Sequence, residues 1–116
     1  MSFFYAPYGT ILAGGEILTK NTEAKSYGND ELCDAQHYAE EYVWHRANGE
    51  TQLAARRKEA ATDELKHAMW IHDIAVAEVE KLKQVYQPPV EMLEKWDEAH
   101  KHYVEKSAWI KTMLAM

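Results

Sequence analysis

From Glu50 to Tyr86 the chain runs without a Gly or a Pro. The stretch is rich in Ala, Glu, Lys, Leu and Arg, all strong helix formers. A single helix of that length is roughly 55 Å long. Few folds of 116 residues accommodate such an element. A short hairpin partner cannot cover it, so a third helix or a second chain must.

The rest of the chain supplies the partners. Asn29 to Ala47 reads as a shorter helix, with Asn29 as N-cap and Asp30 and Glu31 favourable in its first turn. Asn48-Gly49 stops it, because both residues tolerate the left-handed conformation. That short turn makes the first two helices an antiparallel hairpin. Pro88-Pro89 ends the long helix, and a third runs from about Val90 to the C-terminus. Pro7, Gly9, Gly14, Gly15 and Gly28 crowd the start. Residues 1–28 therefore read as an irregular N-terminal arm, and 29–116 as an all-α helical domain. The stretch Gly9 to Gly15, GTILAGG, reads as part of an arm packed on the bundle.

Charge narrows the function. Thirteen Lys and Arg stand against 19 Asp and Glu, a net charge of −6. That balance excludes sequence-independent nucleic-acid binding, which needs clustered cations. It argues equally against an anionic membrane surface. No apolar run approaches the roughly 20 residues of a membrane span. No basic segment precedes the first apolar stretch, so a secretory leader is not expected. Cys33 is the single cysteine, so a reducing, cytoplasmic setting and a small buried apolar role are expected for it.

The long helix carries an apolar stripe at Leu53, Ala60, Ala61, Ala68, Ile71, Ile74 and Ala75. Glu64 and His67 fall on the same stripe, one turn apart. Burying this pair is costly unless it is partnered or holds a metal. In helix bundles Glu-x-x-His grips an ion from one face, and a carboxylate on the neighbouring helix completes the grip. His67 lies 18 residues after Gly49, and the residue 18 before Gly49 is Glu31. Glu31 heads its own stripe with Ala35, Tyr38, Tyr42 and His45. Glu40 and Glu41 lie roughly 13 Å or more nearer the turn. They read as part of a solvated or intersubunit face, with Glu41 and His45 as a minor second pair.

Glu31, Glu64 and His67 form the half-site of a di-iron carboxylate centre. Two chains about a two-fold axis supply four carboxylates and two imidazoles, whose charge balances two Fe²⁺ ions. Iron suits these hard donors, with manganese as the alternative. A homo-oligomer is expected, in which dimerisation completes a four-helix bundle.

The segment Glu31 to Met69 resembles the ferritin-like superfamily, including rubrerythrin. Its half-length format is most similar to the encapsulated ferritins, in which two helical hairpins build the iron site across a dimer interface. Glu31, Tyr38, and Glu64 with His67 and Ala68 match that family's pattern one for one. The resemblance implies a ferroxidase that turns Fe²⁺ into Fe³⁺, with Glu31, Glu64 and His67 as ligands. It implies Tyr38 beside the iron, a ring of dimers as the assembly, and storage of the product inside a protein shell. Tyr38 would serve as a nearby hydrogen-bond donor or radical sink. Two other readings use the same residues: a metal-free helical assembly subunit with Glu64 and His67 as a buried polar pair, and a di-iron peroxidase or oxygenase acting on an organic substrate. A rival constellation, Asp97-x-x-His100 with Glu98 and His102, sits in the charged run EKWDEAHKHYVEK and reads as a solvated face. The tryptophans Trp44, Trp70, Trp96 and Trp109 read as core and interface anchors.

Overall fold

The computed structural model describes residues 4–6, 9–11 and 28–116. Three helices dominate: α1 (Asn29–Ala47), α2 (Thr51–Val85) and α3 (Val90–Leu114). Within the arm expected to be irregular, β1 (Phe4–Ala6) and β2 (Gly9–Ile11) pair antiparallel, with Tyr5 opposite Thr10. β2 lies against α2. The remainder of the N-terminal arm lies outside the described residues. None of the described helices is long and apolar enough to cross a membrane.

α1 begins one residue earlier than its polar signal suggests. Gly28, not Asn29, is the capping residue, and its φ of 84° is left-handed. A Cβ on Gly28 would lie 2.8 Å from the Ala68 carbonyl oxygen. Glycine is therefore required twice over, for its backbone angle and for the close approach to α2. At the other end Gly49 adopts φ 73° and the chain turns into α2, as the Asn-Gly signal predicts. The expected third helix follows Pro89, whose fixed φ of −55° suits a helix start.

Two clusters hold the helices. In the first, Leu32, Ala35 and Ala39 of α1 meet Ala61, Leu65 and Ala68 of α2, and Tyr103, Ile110 and Met113 of α3 close over them. Alanines at this seam let α1 and α2 approach closely. In the second, Ile71, Ala75 and Val79 of α2 meet Trp96 of α3 among the described buried residues.

The buried face of α2 is turned from the expected stripe. Ala61, Ala68, Ile71 and Ala75 are buried as expected, but Leu53 is 36% exposed and Ala60 and Ile74 are half-buried. Ala54, Leu65, His72 and Val79 are buried instead. At 100° per residue this is a turn of roughly 45°. The cause is α3, which packs on the flank carrying Leu65, His72 and Val79. Glu64 and His67 are left half-buried at the opposite edge.

Cys33 is exposed, contrary to expectation, because it lies off the Leu32–Ala35–Ala39–Tyr42 face; Lys106 Nζ stands 3.4 Å from its sulfur. Of the four tryptophans only Trp96 is a core residue. Trp44, Trp70 and Trp109 are 59%, 41% and 50% exposed, on helix faces that α1, α2 and α3 turn away from one another.

Candidate functional site

Three contacts fix the register of the α1–α2 hairpin. Glu41 Oε2 lies 2.6 Å from Arg57 Nε, a charge contact in which the N–H is not aimed at the oxygen. Lys58 Nζ sits 5.5 Å from the centre of the Tyr42 ring. Gly28 lies against Ala68. In each pair the two residue numbers sum to between 96 and 100. Glu31 therefore stands level with residues 65 to 69, beside His67, in the register the turn predicts.

The candidate ligands share one height on the hairpin. Glu31 occupies the first turn of α1, where the helix dipole favours a carboxylate. Glu64 and His67 face the same side of α2. All three are half-buried, as is Tyr38, which packs on the first cluster. Two carboxylates and an imidazole suit a hard divalent cation. Among the described residues, however, no three His, Cys, Asp or Glu side chains stand close enough to hold a metal ion. One chain alone does not close a coordination sphere around Glu31, Glu64 and His67.

The other acidic residues of α1 are engaged elsewhere. Glu41 pairs with His37 at 3.1 Å as well as with Arg57. His45 pairs with Glu50 at 3.3 Å, so the expected Glu41–His45 pair is replaced by two others. The shift follows from the tight turn, which carries Glu50 back beside His45. Glu40 accepts a hydrogen bond from Gln36 Nε2 at 2.9 Å.

On α3, Asp97, Glu98 and His102 are exposed, the solvated face that their charged surroundings predict. His100 is exposed as well but reaches α2. Its ring leans inward, and Nδ1 lies 2.9 Å from Nε2 of His72 on α2. His72 is only 2% exposed. Its ring stacks on Tyr103 with centroids 3.8 Å apart and planes 14° apart, and Trp96 lies parallel at 6.1 Å. Burial pushes the Tyr103 phenol up to about 12, and the negative charge of Asp73 adds to the effect. Glu78 is a further buried ionisable residue, 3% exposed, with Lys81 Nζ 3.1 Å away.

Sequence reasoning passed over His72. A signal was present: Leu65, His72 and Val79 recur every seven residues on α2, as Trp96, Tyr103 and Ile110 do on α3. Two such series mark two facing seams.

No protein-family model, curated protein or solved structure matches this chain.

Proposed function

We propose that two copies of this chain pair across the α2 flank that carries Glu64 and His67, and that the pair oxidises Fe²⁺ at a site shared between them. The observation that carries this reading is the common height of Glu31, Glu64 and His67 on one hairpin, where each is half-buried. A second copy supplies the missing carboxylates and imidazole. Its flank would also cover Leu53, Ala60 and Ile74, which α1 and α3 leave partly open.

Fe²⁺ is the substrate, and each ion gives one electron to O₂ or peroxide. Glu31 and Glu64 bind and neutralise the cations, and His67 adds a nitrogen donor. Tyr38, two turns along α1 from Glu31, is a hydrogen-bond donor beside the site. A reducing compartment, which keeps iron as Fe²⁺, suits this chemistry. The resemblance to encapsulated ferritins extends the proposal to a ring of dimers inside a protein shell.

Oxygen consumption on adding Fe²⁺ to anaerobic protein tests the reading. Glu64→Ala and His67→Ala should each abolish it, while circular dichroism keeps the wild-type helix content. Wild-type rates in both variants would contradict it. Iron binding without iron oxidation would favour a peroxidase or oxygenase, and no iron binding an assembly role.

A further inference from the structure

The tip of the α1–α2 hairpin is charged opposite to the chain as a whole. Residues 42–58 hold four of the 13 Lys and Arg and one of the 19 Asp and Glu. Arg57 is answered by Glu41, and Glu50, the one acid of the tip, faces His45. Arg46 and Lys58 have no carboxylate partner among the described residues.

Both unanswered cations border one cleft. It is open to solvent, measures about 340 Å³, and is lined by Tyr42 and Arg46 of α1 and by Thr51, Ala54, Ala55 and Lys58 of α2. α3 closes over Ala61, Leu65 and Ala68 and lines no part of it. Tyr42 draws the two cations to one place. Arg46 Nη1 donates to its hydroxyl at 2.8 Å, and Lys58 Nζ sits 5.5 Å from the centre of its ring. Two like charges at one side chain repel, and an anion beside both relieves the repulsion.

The polar lining consists of donors. Arg46 keeps N–H groups beyond the one it gives to Tyr42, and the Lys58 ammonium has three. Tyr42 is 5% exposed; its oxygen accepts from Arg46, while its own O–H meets no acceptor among the described residues. A buried hydroxyl proton in that position needs an acceptor. The Thr51 hydroxyl is a further donor. No described carboxylate lines the cleft, and the first turn of α2 has no acidic residue. Two cations and two hydroxyls match the several acceptor oxygens of a phosphate dianion better than the two of a carboxylate. The volume is at the small end of ligand pockets and exceeds what a bare ion fills. The methyl groups of Ala54 and Ala55 offer the remaining space to an apolar group.

We propose that this cleft binds a small phosphomonoester, its phosphate held by Arg46, Lys58, Tyr42 and Thr51 and its organic group set against Ala54 and Ala55. The site is separate from the iron reading. At 100° per residue Lys58 lies about 120° around α2 from Glu64 and about 180° from His67. The cleft therefore stays open when two copies pair across the Glu64–His67 flank.

Amide chemical shifts of the full chain test this at about pH 7.5, where phosphate is a dianion, in a phosphate-free buffer. Phenyl phosphate should shift the amides of Arg46 and Thr51–Lys58 saturably, with a Kd of about 1 mM or tighter. Inorganic phosphate, which lacks the apolar group, should bind about threefold or more weakly. Arg46→Gln and Lys58→Gln should each weaken phenyl phosphate about tenfold or more. Both side chains are exposed, so the variants are expected to fold, with wild-type circular dichroism as the check. Lys66→Gln removes the same charge from an exposed position farther along α2 and should leave the Kd within about twofold. The absence of a saturable shift, wild-type affinity in both cleft variants, or an equal loss in Lys66→Gln would overturn the proposal. So would equal affinity for inorganic phosphate. Glu64→Ala should leave the affinity unchanged, so the cleft stands or falls apart from the iron site.

Discussion

The two ends of α2 are built differently. Between Ala61 and Ala68, on the side toward the Asn48-Gly49 turn, α2 is covered by both α1 and α3, and small residues bring α1 and α2 together. Beyond Ala68, α1 has ended and only α3 remains among the described helices. There the helices are spaced by large rings, His72 against Tyr103 and Trp96 near Val79. Small-residue seams gain many close contacts and tolerate no added atoms. Ring-spaced seams bury fewer residues and depend on a few polar contacts. The first end should behave as the stable core, and the second as the part that opens first.

Truncation at the two ends should expose that contrast most strongly. Ile110 is fully buried in the three-helix cluster, and Ile110→Ala should cost about 2–5 kcal/mol in urea unfolding. Ile71, in the two-helix cluster, is 6% exposed and borders half-buried side chains that can relax. Ile71→Ala should sit near 2 kcal/mol, at the low end of that range. Equal losses would mean that one continuous core spans both ends.

Next in size are the two left-handed glycines of the hairpin. Gly28→Ala adds backbone strain and drives a Cβ against the Ala68 carbonyl, which cannot move without bending α2. About 2–3 kcal/mol is expected from strain and close contact together. Gly49→Ala meets nothing within 4 Å and should cost only about 1 kcal/mol of strain. Similar losses at both positions would show that the α1–α2 approach is looser than the Gly28 contact indicates.

The smallest effect concerns the ring-spaced end in alkali. A tyrosine whose folded pKa is about 12 against an ordinary 10.0 keeps its proton longer when folded. Its contribution to stability is complete below pH 10.0 and is lost as pH rises through about 12. Ultraviolet difference titration should show one late-ionising phenol, absent in Tyr103→Phe. The loss of stability in that interval should be smaller in the variant. A late phenol that survives the substitution would assign the buried ring elsewhere.

Much of the first end was legible in the sequence, and little of the second. Asn48-Gly49 fixed the turn, and counting back from it put Glu31 beside His67. The helix limits followed from Gly and Pro, because those residues act locally. The face of α2 did not follow. A helix rich in alanine offers two nearly equal apolar arcs, and the choice between them is made by α3, a partner far away in sequence. That choice buried His72 and moved Leu53 outward. Cys33 shows the same limit: its residue type suggested burial, and its helical angle decided otherwise.

Sedimentation equilibrium of the anaerobic protein, with and without Fe²⁺, tests the central claim most directly. If two copies share the site, Fe²⁺ should tighten the dimer by mass action. The gain should disappear in Glu64→Ala and in Glu31→Ala, and persist in Glu41→Ala, whose carboxylate is engaged with Arg57 and His37. A monomer that takes up its full complement of iron, with no change in association, would contradict the account.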